Sequence, residues 1–203
     1  AGSGKSEIIQ TIAGLASFEK GGLIVKGQEV TADEPPHVRL GRGIRYFSGE
    51  TGKELFLNWP ITKNISIVNI EKISGRPIPV ISFKAERKMA EEIVRRLRIK
   101  APSVSADCYS LSGGNKQKVS VGKWIERNPD ILLLEDPTIG IDVGARSDIF
   151  ETILEMKMRG TSMILVSDDP KEYSILCDRI MFIKSGIVQR VLSPEQFGEM
   201  MVA

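Results

Sequence analysis

Three short stretches of this sequence combine residue types able to do chemistry on a phosphate. Near the start, Gly2, Ser3, Gly4, Lys5, Ser6 and Glu7 read as the latter part of GxxxxGK[ST]. In that pattern loop amides at a helix entrance cradle phosphates, the lysine reaches the terminal phosphates and the hydroxyl ligates Mg²⁺. The first glycine of the full pattern falls two positions before Ala1, so the chain opens inside its motif. Midway, Leu111, Ser112, Gly113, Gly114 and Asn115 place a Ser-Gly-Gly turn at a helix start, where backbone amides and a hydroxyl are offered to an anion. Further on, the apolar run Ile131 to Leu134 stops at Glu135 and Asp136, with Pro137 behind them. Neighbouring residues of a strand point to opposite sides, which keeps two such carboxylates from trading places.

The elements that must hold these residues follow from periodicity. Ile8, Ile9, Ile12 and Leu15 recur at helical spacing directly after Lys5 and Ser6. The segment 22–30 reads as a strand closing on Gly27, and 43–48 as a second strand followed by a Gly-rich loop over 49–54. From Pro60 to about Arg127 helical patterns dominate, and Met89, Ile93 and Leu97 share one face. Strands return at 131–135, 162–167 and 179–184, separated by helices around 147–158 and 170–176, and Ser193 caps a terminal helix. Strands alternating with helices predict an α/β fold with a parallel sheet and a mostly helical insertion between its two sequence halves.

Bulk properties exclude several classes. With 203 residues, 41% hydrophobic and 27% charged, the chain has the composition of one ordinary globular domain. A formal charge of +2, with Lys and Arg spread along the sequence, lacks the footprint of a nucleic-acid binder. Cys108 and Cys177 stand far apart without metal-ligand spacing, which predicts a reducing, cytoplasmic setting. The apolar runs are strand-sized, short of the roughly 20 residues of a membrane span. Any membrane role is therefore expected to pass through partners.

The order of the motifs carries a resemblance. LSGG with a Gln-containing helix behind it, then ILLLEDPT and GIDVGAR, resembles the ATP-binding cassette (ABC) ATPases of membrane transporters. More narrowly, LSGGNKQKVSVGKWI and PTIGIDVGAR resemble the second ATPase half of duplicated cassette proteins that energise bacterial import of ribose, galactosides and related sugars or nucleosides. The resemblance covers the chain in order, as a single domain over residues 1–203. It implies a P-loop NTPase-type, mainly parallel sheet flanked by helices, with a helical subdomain from about Asn58 to Arg127. It also implies ATP and Mg²⁺ as cofactors. The implied partners are a second cassette, fused or separate, and transmembrane permease subunits at the cytoplasmic face of the membrane, with no nucleic acid. On this basis Gly2, Ser3, Gly4, Lys5, Ser6 and Glu7 bind ATP, while Leu111, Ser112, Gly113, Gly114 and Asn115, with Asp142, serve the nucleotide sandwiched against the partner.

Three positions depart from the family pattern. Where the family places Gln or Glu after the second strand to sense Mg²⁺, this chain has Gly49 and then Glu50, and the resemblance makes Glu50 the candidate substitute on the metal side. The family's switch histidine falls on Asp168, which adds negative charge where an imidazole would donate a hydrogen bond. The family's strand ends in Asp, for the metal, and then Glu, for the attacking water; here the order is Glu135, then Asp136. Glu135 thus takes the metal role beside Ser6, and Asp136 the water role. Each carboxylate is displaced by about 1.5 Å, one C–C bond. Misplacement of that order can cost about a hundredfold in rate. These departures motivate an alternative, a nucleotide-binding but hydrolysis-poor regulatory half. A soluble cassette of DNA repair or translation is a third reading, disfavoured by the near-neutral charge.

Other residues invite blander readings. His37 is expected on a surface turn and helix, and Met156, Met158, Met163 and Met181 in packing. Trp59 and Trp124 are expected as core or partner-facing anchors, and Arg95 to Lys100 as a solvated basic helix end.

Overall fold

The computed structural model describes residues 3–75 and 80–202. Helix α1 (Lys5–Ala13) leads to strands β1 (Leu23–Val25) and β2 (Gln28–Val30), helix α2 (Pro36–Gly41), strand β3 (Ile44–Ser48) and the single turn α3 (Thr51–Glu54). Helices α4 (Ile61–Ser66), α5 (Ile70–Ile73), α6 (Phe83–Arg96) and α7 (Gly113–Arg127) follow. The chain closes with β4 (Ile131–Glu135), α8 (Val143–Met158), β5 (Ser162–Val166), α9 (Pro170–Leu176), β6 (Ile180–Lys184), β7 (Ile187–Leu192) and α10 (Pro194–Val202). Two compact bodies result. One takes the chain up to Phe47 with Pro129–Asp136 and everything from Thr161; the other takes Ser48–Asn128 and Pro137–Gly160.

The first body is built on the sheet β3-β4-β5. Strands β4 and β5 run parallel, from Ile131 opposite Ser162 to Glu135 opposite Val166. Leu132, Leu133 and Leu134 are all buried, as an unbroken apolar run in a parallel sheet requires. Ile9 and Ala13 of α1 pack with Val25, Val30, Ile44, Leu133 and Val166 into one core. Each fully buried aliphatic side chain contributes about 1.5–3 kcal/mol. That packing fixes α1, and with it Lys5, against the sheet.

Two features of this body differ from expectation. Segment 22–30 is a hairpin rather than one strand, because Lys26 (φ 52°) and Gly27 (φ 75°) both adopt the left-handed conformation. Two such residues form the turn whose twist matches antiparallel strands. Ser185 (φ 50°) and Gly186 (φ 74°) do the same between β6 and β7. The strand expected over 179–184 therefore pairs antiparallel with β7, which the sequence reading left out, instead of joining the parallel sheet.

The second body is helical and wider than 58–127, since it includes the turn α3 and the long helix α8. The Gly-rich segment expected as a loop forms α3, whose Glu54 accepts from the Ser48 amide (2.9 Å) and pairs with Lys123 of α7 (2.6 Å). Met89, Ile93 and Leu97 are buried on one face of α6, as their spacing predicts. The basic helix end is not simply solvated: Arg96 pairs with Glu155 and Arg98 with Asp148 (3.0 Å), both on α8, and Lys118 of α7 also reaches Asp148. Trp124 and Met156 are buried, whereas Met158 is 81% exposed and so lies outside any packing role. In the first body Met181, 58% exposed, departs from the packing expectation in the same way. Trp59 is exposed and stacks on Phe56, with ring centroids 4.5 Å apart.

Candidate functional site

In the first body the candidates converge on the N-terminus of α1. Gly4 is its N-cap, in the left-handed conformation (φ 86°), with no side chain to take up the amides of the first turn. A Cβ built on Gly4 meets nothing within 4 Å, so the helix start is open. The nine-residue helix thus presents its orphan amides and positive dipole end outward, with Ser3, Lys5, Ser6 and Glu7 around them. The Lys5 ammonium, the Ser3 and Ser6 hydroxyls and the first-turn amides, that of Glu7 among them, form a donor set that fits a phosphate chain. Gly2 lies outside the described residues.

Lys5 is held on two sides. Its ammonium donates to the Ser167 carbonyl (2.8 Å) and forms an ion pair with Asp168. Burial works against the charged form, but the hydrogen bond that Lys5 donates to Asp168 and the nearby negative charges raise the Lys5 pKa above its ordinary value. That same hydrogen bond to Lys5, with its charge, holds Asp168 below the usual carboxylate range. Asp168 is fixed by its backbone, since its amide donates to Asp136 Oδ1 (2.9 Å). Burial raises the Asp136 pKa above its ordinary value, against the pull of the Asp168 amide. The structure therefore gathers Lys5, Asp136 and Asp168 into one cluster.

The two acids at the end of β4 do part company, though not by strand alternation. The strand ends at Glu135, and Asp136 takes a left-handed backbone (φ 43°) while its amide still donates to the Val166 carbonyl (2.8 Å). Glu135 Oε2 accepts from the Tyr46 hydroxyl on β3. Tyr46 was not a sequence candidate, and its period-2 place on a neighbouring strand is the one signal that could have found it. Tyr173 was missed too: its hydroxyl accepts from the Ser167 amide (2.8 Å) and donates to the Ser167 carbonyl (2.5 Å), pinning the residue beside Asp168.

The remaining candidates belong to the second body. Glu50 is the N-cap residue of α3 and pairs with Lys53 (2.7 Å) at an exposed position. Ser112 is the N-cap of α7, with no side-chain cap bond of its own. Its hydroxyl instead accepts from the side-chain Nδ2 of Asn115 (2.8 Å), while Asn115 Oδ1 accepts from the Lys100 backbone amide (2.8 Å). An oxygen that accepts from Asn115 keeps its own proton to give elsewhere. Asp142 caps α8 through the Ala145 amide (2.9 Å), and this bond lowers its pKa. A Cβ on Gly114 would stand 3.1 Å from the Ala145 Cβ and 3.5 Å from Asp142 Oδ2, so the N-termini of α7 and α8 lie side by side. Leu111 is buried beneath this corner and Gly113 is exposed on it. Two helix starts so placed favour an anion.

Among the described residues no helix is long and apolar enough to cross a membrane, and no three His, Cys, Asp or Glu side chains are grouped to hold a metal.

Comparison with known proteins agrees with this geometry. The chain is 35% identical over 196 residues to the ribose import ATP-binding protein RbsA of Clostridium tetani, covering 96% of this chain and 38% of that protein. It is 32% identical over 204 residues to the ABC transporter ATP-binding protein YphE of Escherichia coli, covering 100% of this chain and 40% of that protein. The chain thus spans about two fifths of the length of these relatives. Among solved structures, the ATP-binding cassette MJ0796, a dimer bound to ADP and inorganic phosphate, superposes with a TM-score of 0.77 at 22% identity, covering 95% of this chain and 81% of that one. The sequence pattern of the ABC transporter family matches residues 1–139. With that match over most of its length and a parallel α/β sheet beside flanking helices, the chain belongs to the ABC transporter family and has the fold of its ATP-binding cassettes.

Proposed function

We propose that this domain binds and hydrolyses ATP to energise import of a sugar or related solute. ATP is bound at the N-terminus of α1 and sandwiched by the α7 N-terminus of a second cassette. The observation that carries the reading is the open, glycine-capped start of α1 with Lys5 beside it, within a chain similar to ribose import ATP-binding proteins. Lys5 and the first-turn amides hold the terminal phosphates. Ser6 and Glu135 would hold Mg²⁺, which supplies charge neutralisation on the phosphates when bound. Asp136, its pKa raised by burial, orients the attacking water and accepts its proton. In the second body Ser112 turns its hydroxyl proton toward the partner's nucleotide, with Asn115 holding the oxygen. Glu50 and the exposed Phe56 and Trp59 face the permease subunits at the cytoplasmic side of the membrane.

Mixed cassette pairs test this. Lys5→Ala on one member should abolish nucleotide binding at that member's own site. Ser112→Arg should leave its own binding intact and stop turnover at the other member's site. If Ser112→Arg instead removes binding by the chain that carries it, the sandwich arrangement is wrong.

A further inference from the structure

We propose that Asp168 is a resident competitor for Lys5 that biases the phosphate site toward a diphosphate over a triphosphate chain. The proposal rests on the phosphate-site reading above and adds to it a preference for ligand charge. An ammonium has three N–H donors. In this structure one goes to the Ser167 carbonyl and another to the Asp168 carboxylate, so an incoming phosphate meets a lysine already engaged. The Asp168 side chain is 83% exposed, against 30% for Lys5, which places the carboxylate on the open side of the ammonium, where an anion must approach.

The carboxylate cannot retreat through its backbone. The Asp168 amide is bonded to Asp136 Oδ1 (2.9 Å), and both the amide and the carbonyl of Ser167 are bonded to Tyr173. On the other side, the Asp169 amide donates to Ser167 Oγ (2.9 Å), and Asp169 in turn caps α9 through the Lys171 amide (3.0 Å). Side-chain rotation alone remains. Once a phosphate takes Lys5, the displaced Asp168 carboxylate stays within reach of it, and Asp136 adds a second negative charge to the cluster. Lysine in this motif serves the terminal phosphates, so the repulsion falls on the end of the chain. It grows with each further phosphate. At a histidine, the residue the family pattern places here, the same backbone would present a donor instead.

The test is competitive displacement of a fluorescent ADP analogue by ADP and by ATP, read as binding, in chelator and again in Mg²⁺. Asp168→Asn keeps the shape and removes the charge. It should tighten ATP by about twofold to fivefold, the range for a like charge at a largely exposed site, and ADP by less than about twofold. Asp168→Ser should do the same, which separates loss of charge from any new contact made by the amide. An ATP-to-ADP affinity ratio unchanged in both variants overturns the proposal. Lys5→Ala is the control for the underlying site: binding that survives it unaltered overturns the phosphate-site reading, and this proposal with it. Lys5-dependent binding with an unchanged ratio defeats the proposal alone.

Discussion

Exchanging the two acids, Glu135→Asp with Asp136→Glu, sets catalytic geometry against stability, and the structure gives a size for each side. On the catalytic side the exchange returns the shorter acid to the position proposed for the metal and the longer one to the position proposed for the water. Each carboxylate moves by about 1.5 Å, and the hydrolytic step should accelerate by up to about a hundredfold. On the stability side, retracting residue 135 takes its carboxylate away from the Tyr46 hydroxyl, a loss of about 1–2 kcal/mol for a bond to a charged acceptor. Extending residue 136 disturbs the 2.9 Å bond from the Asp168 amide, worth about 0.5–1 kcal/mol at an exposed position. It also puts Glu where the backbone is left-handed (φ 43°), a conformation Asp tolerates better by about 0.5–1 kcal/mol. The total is about 2–4 kcal/mol, or roughly 5–15 °C in Tm for a domain of this size. Single-turnover ATP hydrolysis in a cassette pair whose other site is silenced, beside thermal unfolding of the same protein, reads both quantities. A folded variant that hydrolyses no faster would refute the catalytic argument. An unchanged Tm would refute the roles given to Tyr46 and to the Asp136 backbone.

Lys123→Met should destabilise the second body by about 3–5 kcal/mol, because it strands the buried Glu54 carboxylate. Adding Glu54→Gln should recover much of that loss in urea unfolding. Gly122→Ala places a Cβ 2.6 Å from Ile93 Cγ2 and 2.9 Å from Leu97 Cδ1, and the overpacking of about 1–3 kcal/mol should exceed the roughly 1 kcal/mol gained in helix propensity, lowering the unfolding midpoint. Asp142 is depressed by its Ala145 amide bond, so its contribution is present above the ordinary carboxylate pKa and lost as pH falls through the lower folded value. An NMR titration should show that low midpoint, and Asp142→Ala should flatten this part of the acid-side stability profile.

The glycine-capped start of α1 and the strand ILLLE were legible because local sequence decides both: a glycine before a helical apolar period, and an unbroken apolar run. The hairpin turns were not, since Lys26 and Ser185 carry no strong preference for the left-handed backbone they adopt, and only Gly27 and Gly186 hint at it. Turn α3 was hidden by the glycine in TGKE, with its anchor Lys123 sixty-nine residues away from Glu54. The site shows the same division. The sequence named Lys5 and Asp168 separately, but their pairing spans 163 residues and rests on the crossover that brings the end of β5 to the start of α1. Arg96 and Arg98 looked solvated because their acids lie 59 and 50 residues further on.

Those same acids make α8 a lever. Asp142, at its N-terminus, sits beside Gly114, while Glu155 near the far end is gripped by Arg96 and Asp148 midway by Arg98 and Lys118. Asp142 and Glu155 are separated by about 20 Å at 1.5 Å per residue, so a tilt of about 2° at the gripped end swings the other by about 0.7 Å. Tolerances for phosphate chemistry are of that order. The alignment of the α7 corner is thus held from a distance, by ion pairs in which Ser112 takes no part.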